Sequence, residues 1–169
     1  MKKIKNKEIV QNAGIDFIKF PDQDGCTPLL AKDPLFSMTF GKNNNFRESR
    51  ILKMLQEDVL PKIANEVGEE NIVLHDVDLT ALDGMQDYGT MQTRISIPTL
   101  DFYRQNNKLI RKYNHGSWWW LATPSTNVNV FGALCVSSSG FISNYYCNFD
   151  FGVRPFLILK SSIFESLEV

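Results

Sequence analysis

The sequence predicts an α+β fold in which two helices precede a strand-rich C-terminal third. An apolar residue recurs at every fourth position between residues 51 and 67, which is the period of a helix. The C-terminal third has few charged residues: residues 116–169 hold five of the 37 charged side chains, and the preceding 115 residues hold 32. Helices followed by weakly charged strands indicate a mainly antiparallel, twisted sheet. At this length we expect a single domain over residues 1–169.

An N-terminal hairpin is predicted within the first 40 residues. Apolar residues alternate weakly from Ile15 to Phe20, residues 21–25 (PDQDG) have turn chemistry, and residues 27–32 can return as the partner strand. The helix that follows has Asn44 or Asn45 as its expected N-cap. We expect a kink or restart at Pro61, which cannot donate an interior hydrogen bond, and an end at Gly68.

The remaining elements are predicted from shorter patterns. Residues 71–82 are expected to be extended or mixed, and residues 83–89 form a loop. Arg94 to Pro98 predicts a short strand, after which Thr99 is the expected N-cap of a second helix that ends near Tyr113. Later strands are predicted at residues 118–123, 132–137, 141–146 and 153–159.

Three consecutive tryptophans begin the C-terminal third. On a strand, Trp118 and Trp120 must point to one face and Trp119 to the other. Tryptophan is highly buried on average, so we expect at least two of the three to be structural, with a partner for each buried indole N–H. One of them could be a surface anchor.

Arg154 stands in an otherwise apolar segment and is the only lysine or arginine between Lys112 and Lys160. A buried arginine requires a carboxylate, backbone carbonyls or a ligand anion as its partner. We expect a structural pairing, with the carboxylate supplied from the acidic stretch ahead of the second helix. The candidates are Asp76, Asp78, Asp83 and Asp87.

No motif for catalysis or metal binding is present. His75, Asp76 and Asp78 do not have the spacing of known metal sites, and His115 is an isolated histidine in a loop. The metal site that the sequence leaves open is oxygen-ligated calcium at residues 83–87. Nucleophile-elbow, phosphate-loop and dinucleotide motifs do not occur. The sequence therefore predicts no catalytic residue, no cofactor and no enzyme activity.

The cysteine count and the net charge exclude further classes. Cys26, Cys135 and Cys147 are an odd number without CxxC spacing, which favours buried, reduced thiols over a disulfide framework or a zinc site. A formal charge of -1 argues against direct binding to nucleic acid. We expect no membrane span, and the N-terminal lysines precede no apolar run that would make a signal peptide.

A candidate binding surface is predicted from composition. Residues 127–151 are rich in Asn, Ser, Tyr and Phe and contain one charged residue, Asp150. Aromatic side chains with small polar neighbours are typical of recognition surfaces, although half-buried strands of a core can have the same composition. The predicted partner-binding residues are Asn127, Asn129, Asn144, Tyr145, Tyr146, Asn148 and Phe149.

Several motifs resemble a known family. Three C-terminal motifs strongly resemble a domain of unknown function that is common in Firmicutes and their phages and prophages. They are residues 118–124 (WWWLATP), 135–140 (CVSSSG) and 152–156 (GVRPF). Two earlier motifs look like the same family, at residues 40–46 (FGKNNNF) and 87–89 (DYG). That domain is similar to the C-type-lectin-like architecture of formylglycine-generating enzymes and of some phage receptor-binding proteins. The resemblance implies this fold for the chain and a phage or prophage origin.

These observations predict a non-catalytic module that binds a host or phage protein through the C-terminal Asn/Ser/Tyr-rich surface. An intracellular phage inhibitor of a host defence system, similar to anti-CRISPR proteins, is the alternative. A formylglycine-generating-type oxidase, using Cys135 and Cys147, is a more remote one. We expect the protein in the host cytoplasm or in the phage virion, not secreted through a signal peptide, and the sequence leaves its oligomeric state open.

Overall fold

Strands and two helical bodies make up the part of the chain that the computed structural model describes, residues 3–114 and 116–166. The first helical body contains α1 (Arg50–Met54) and α2 (Leu60–Val67), and the second is α3 (Leu100–Lys112). The strands are β1 (Ile9–Asn12), β2 (Ile15–Lys19), β3 (Cys26–Ala31), β4 (Phe36–Met38), β5 (His75–Asp78), β6 (Thr90–Thr93), β7 (Trp119–Pro124), β8 (Gly132–Val136), β9 (Ile142–Tyr146), β10 (Phe151–Val153) and β11 (Phe156–Lys160).

The described strands form three sheets. A four-stranded sheet has the order β1-β2-β3-β11, a five-stranded sheet has the order β4-β10-β7-β8-β9, and β5 pairs with β6 alone. Neighbouring strands are antiparallel except β10 and β7, which run parallel where Gly152 lies opposite Trp119. Two helical bodies and mainly antiparallel sheets confirm the predicted α+β class.

The predicted N-terminal hairpin is confirmed as β2 and β3, with Phe17 opposite Ala31. The turn between them has Asp24 and Gly25 at positive φ, and it coincides with the predicted turn residues. The last strand, β11, pairs with β3, so Phe156 lies opposite Leu30. The C-terminal strand therefore completes the sheet that the N-terminal hairpin begins.

The first helical body restarts near the position that Pro61 predicts. A π-helical turn at Leu55–Val59 separates α1 from α2, and Pro61 lies in the first turn of α2, where a missing N–H costs little. Gly68 ends α2 at φ 87°, as predicted. The N-cap of α1 is Ser49, whereas Asn45 caps a preceding 3₁₀ turn.

The second helix begins and ends where the sequence predicts. Thr99 caps it by accepting a hydrogen bond from the N–H of Phe102, and Tyr113 is its C-cap. Asn106 interrupts the helix with non-helical dihedral angles. Its side-chain amide donates to the carbonyl of Phe102 at 3.0 Å, so the carbonyl one turn earlier has a donor despite the interruption.

Two predicted strands differ from the observed ones. Residues 94–98 do not form a strand. The hydroxyl of Thr93 forms hydrogen bonds with the main chain of Ile95, and the segment makes a single β-bridge, from Ser96 to Phe156. The preceding residues, Thr90–Thr93, form β6 instead. The predicted strand at 153–159 is divided into β10 and β11, since the chain leaves one sheet for the other at Arg154 and Pro155.

Strand β7 separates two hydrophobic cores. Trp120 packs in the larger core with Phe40 at 5.5 Å between ring centroids, and Trp119 packs in the other with Tyr103 at 5.8 Å. Trp118 faces the same side as Trp120, because both rings contact Phe151. The alternation predicted for the three tryptophans is confirmed. The indole N–H of Trp120 donates to the carbonyl of Met38 at 3.0 Å. The expected partner for each buried indole N–H is not found for Trp119, whose N–H makes no hydrogen bond within the described residues.

Arg154 is buried, with 1% of its surface exposed, at the crossing between the two larger sheets. Its guanidinium donates to the carbonyl of Ala31 at 2.9 Å and to that of Lys32 at 3.0 Å, and it lies 4.6 Å from the Trp119 ring. Burial lowers the pKa of Arg154 to about 10, while the Asp33 charge opposes that shift.

The prediction of the carboxylate near Arg154 was wrong. Among the described contacts, none of Asp76, Asp78, Asp83 and Asp87 is its partner, because the first two lie on β5 in a separate sheet and the other two in the loop after it. Asp33, next to the two accepting carbonyls, supplies the nearby negative charge instead.

Replacing Arg154 by methionine should lower the free energy of unfolding by about 3 kcal/mol, since the buried carbonyl of Ala31 and the half-buried carbonyl of Lys32 then lose this donor. Urea denaturation measures the change. Arg104→Met is the matched control, because Arg104 is an exposed arginine whose ion pair with Asp101 should contribute less than about 1 kcal/mol. Equal destabilisation of the two variants would contradict the structural role of Arg154.

Candidate binding surface

Strand β9 lies at one edge of the five-stranded sheet and, within the described residues, pairs only with β8. Its side chains alternate between the two faces. Ser143 and Tyr145 are half-buried, whereas Ile142, Asn144 and Tyr146 are exposed. Strand β9 therefore exposes three side chains on one face of the sheet, and its edge away from β8 is unpaired within the described residues.

Aromatic side chains support β9 from the side of the larger core. Tyr145 contacts Trp118 at 5.2 Å, Phe149 at 5.2 Å and Phe151 at 5.4 Å between ring centroids. Trp118 stacks on Phe151 with an interplanar angle of 21°. Tyr145 therefore belongs to the packing beneath the surface, and its neighbour Tyr146 is the exposed tyrosine.

Exposed apolar side chains surround β9. Phe141 is 69% exposed, Tyr146 61%, Phe131 57%, Phe149 43% and Ile142 37%. We define the β9 surface by the residues exposed along and around this strand. It comprises Phe131, Phe141, Ile142, Asn144, Tyr146, Asn148 and Phe149.

A groove of about 420 Å³ lies at the end of β9. Its lining consists of Gly41, Lys42, Phe131, Tyr146, Cys147 and Asn148. Four of these residues, Gly41, Lys42, Phe131 and Cys147, are not among the predicted partner-binding residues. Phe131 could have been identified from its position just before β8, whereas Gly41 and Lys42 are distant in sequence and are brought here by tertiary structure.

The loop before β8 is held by one buried side chain, Asn44. Its amide donates to the carbonyls of Thr126 at 2.8 Å and Gly132 at 2.9 Å, and its backbone N–H donates to Val130 at 2.7 Å. The hydroxyl of Tyr88 donates to its side-chain oxygen at 2.6 Å. Asn44 therefore fixes residues 126–132, a role that its sequence position alone does not indicate.

Two predicted binding residues lie in this loop and bond within the chain. The side-chain oxygen of Asn127 accepts from the N–H of Asp87 at 3.2 Å, and that of Asn129 accepts from the N–H of Phe131 at 3.0 Å. Asn129 is exposed, and Asn127 is half-buried. Phe131 joins this loop to β9, since its carbonyl accepts from Cys147 at 2.8 Å.

The acidic side chains ahead of α3 bond within their own turns. Asp83, expected as a structural residue, is exposed and accepts from the N–H of Met85 at 3.3 Å, and Asp78 accepts from Thr80. Among residues 3–114 and 116–166, no group of three or more His, Cys, Asp or Glu side chains is arranged to hold a metal ion. His115 lies outside the described residues.

His75 is buried between sheet and helix. One ring nitrogen, Nε2, lies 2.8 Å from the hydroxyl of Ser96, and the ring meets Phe156 edge-on at 5.2 Å. Burial lowers the pKa of His75 to about 4. The imidazole is therefore neutral at pH 7 and acts as a hydrogen-bonding core residue.

The three cysteines are free thiols. Cys135 and Cys147 are buried, and burial raises the pKa of each to about 12. Thiols held in the protonated form are poor metal ligands and nucleophiles. The burial of these two thiols thus gives no support to the oxidase alternative. No helix among the described residues is long and apolar enough to cross a membrane.

Comparison with known proteins matches one family to part of the chain. A model described as a domain of unknown function (DUF6273) matches residues 89–161, which extend from just before β6 to the end of β11. This segment includes β9 and Arg154 and contains the three C-terminal motifs that suggested such a domain. No curated protein and no solved structure matches the chain significantly.

Stability should fall as the pH is lowered from about 6.5 to 4. The unfolded chain protonates His75 near its ordinary pKa of 6.5, whereas the folded chain resists protonation until about 4. The contribution of the neutral ring to the free energy of unfolding is fully present above pH 6.5. About 3 kcal/mol of it is lost as the pH falls from 6.5 to 4. Urea denaturation of the wild type and of His75→Gln across this range measures it. Parallel pH profiles for the two proteins would contradict this assignment.

Thiol labelling should distinguish the cysteines by exposure. Cys26 is half-buried, whereas Cys135 and Cys147 are buried. In the native protein at about pH 8, we expect Cys26 to react at least tenfold faster than the other two. Mass spectrometry of the labelled peptides measures each rate, and labelling in urea should remove the difference. Fast native labelling of Cys135 would show that the strand pairing around β8 opens.

Proposed function

We propose that this chain is a non-catalytic protein-binding module that contacts its partner through the β9 surface. The observation that carries the proposal is the exposure of four aromatic side chains and Ile142 around one open sheet edge. Contiguous exposed apolar side chains are characteristic of interaction sites, because water contact with them is unfavourable.

The charge of the surface favours the same function. No charged residue occurs from Phe131 to Phe149, although charged residues make up 22% of the chain. Interface centres are depleted of charge and enriched in aromatic residues, since charges lose hydration when they are covered. Asn144 and Asn148 add exposed amides that can donate and accept hydrogen bonds.

The support beneath the surface favours binding without large rearrangement. Tyr145 and Phe151 pack under the strand with Trp118, and Asn44 fixes the loop that carries Phe131. A surface held in place loses less conformational entropy when a partner is bound. The exposed side chains can therefore contribute more of their burial energy to affinity.

We also propose a C-type-lectin-like architecture and a phage or prophage origin for the chain. The resemblance of residues 118–124, 135–140 and 152–156 supports both. The pairing of β11 with β3, which closes the chain against its N-terminal hairpin, is compatible with that architecture. Mass spectrometry of purified phage particles tests for a virion component, and plaque rescue on restricting hosts tests for an inhibitor of host defence.

The double variant Phe131→Ser/Tyr146→Ser should bind its partner at least tenfold more weakly, because two exposed anchors of the groove are removed. Partners captured from host lysate by the wild type are compared quantitatively with those captured by the variant. Leu74→Ser/Leu82→Ser is the matched control, since these side chains are 50% and 54% exposed outside the β9 surface. Retention of every partner by the Phe131/Tyr146 variant would overturn the assignment of this surface.

A further inference from the structure

We propose that β9 binds by strand addition and that its partner is β9 of a second copy of the chain, in an antiparallel pair centred on Asn144. The inference rests on the proposed function, since it names the partner of the same surface. Three features support it: the direction of the backbone groups of β9, the side chains that a two-fold axis would pair, and the lack of charge.

The hydrogen-bonding pattern of β8 and β9 shows which backbone groups face outward. Ser137 donates to the carbonyl of Phe141, and Cys147 donates to that of Phe131, so these are the hydrogen-bonded pairs of the ladder. Such pairs alternate with non-bonded ones along an antiparallel ladder. In the observed register, the main-chain groups of residues 142, 144 and 146 therefore form no ladder hydrogen bonds with β8. Their N–H and C=O groups point to the open edge instead.

Side chains of two copies match in this register. With Asn144 opposite Asn144 of the second copy, Ile142 of each chain lies opposite Tyr146 of the other. Aromatic and β-branched residues are favourable cross-strand pairs, and the two central amides can bond each other. A two-fold axis places identical groups together, so a charged edge would repel itself. The segment from Phe131 to Phe149 carries no charge, so the strand itself avoids that repulsion, and Lys42 adds one cation at the groove beside Tyr146.

The β9 edge lacks the features that usually prevent strand addition. Proteins protect edge strands with lysine, proline, bulges or very short length. The opposite edge of the same sheet, β4, has three residues and follows Pro34. Strand β9 has five residues, ISNYY, with neither charge nor proline, and pairs with β8 without a register shift.

The available area is at the lower end of the range for specific dimers. The exposed parts of Phe131, Phe141, Tyr146 and Phe149 amount to on the order of 500 Å² per chain, given the roughly 150 to 250 Å² of a whole aromatic side chain. Two copies thus offer about 1,000 Å², the lower limit for a specific protein interface. We therefore expect a reversible dimer of moderate affinity.

Charge substitution at the two-fold axis tests the pairing. Sedimentation of the wild-type protein over a concentration series should show a monomer–dimer equilibrium. Asn144→Lys and Asn144→Glu should each weaken dimerisation at least tenfold, because like charges then face each other, and an equimolar mixture of the two variants should restore the dimer. Ser139→Lys, an exposed position in the turn before β9, is the control and should dimerise as the wild type does.

Each other outcome overturns the self-pairing. A wild type that remains monomeric at millimolar concentration excludes it, as does a dimer that Asn144→Lys leaves intact. If the wild type is monomeric and captures a different protein that Asn144→Lys does not bind, the edge is assigned to a foreign strand. The proposed function fails separately, when Phe131→Ser/Tyr146→Ser binds every partner, a second copy of the chain included, as tightly as the wild type does, so the two failures are distinguishable.

Discussion

The buried guanidinium of Arg154 is the constraint on which the arrangement of the two larger sheets depends. A charge removed from water must find its hydrogen bonds within the protein, and Arg154 finds them at the carbonyls of Ala31 and Lys32, where β3 ends. Because Arg154 follows β10 of one sheet and precedes β11 of the other, these bonds fix where the chain crosses between sheets.

The same side chain connects this crossing with the β9 surface. Its guanidinium lies over Trp119, which packs in one core with Leu134 and Val136 of β8. Strand β8 in turn carries β9. The position of the exposed edge thus follows from a chain of packed neighbours that begins at Arg154, although β9 is paired on one side only within the described residues.

Local patterns were sufficient for much of the fold. The apolar period, Pro61 and Gly68 predicted the first helical body, and the alternation of the tryptophans predicted the two faces of β7. Long-range geometry was not predictable in the same way. Backbone carbonyls have no sequence signature, so the partners of Arg154 could not be found by searching for carboxylates.

The candidate surface was predicted at the level of a segment but not of single side chains. Composition grouped Tyr145 with Tyr146, yet they point to opposite sides of β9, and only pairing with β8 determines which one is covered. Phe131 belongs to the surface through the ladder bond between its carbonyl and Cys147. The anchoring of the loop by Asn44 has an evolutionary consequence. Because that side chain bonds to main-chain carbonyls, the exposed Val128 can change identity without moving the loop, whereas Asn127 and Asn129 also hold it through their own side chains. The chemistry displayed by the loop can therefore diversify at Val128 with little loss of stability.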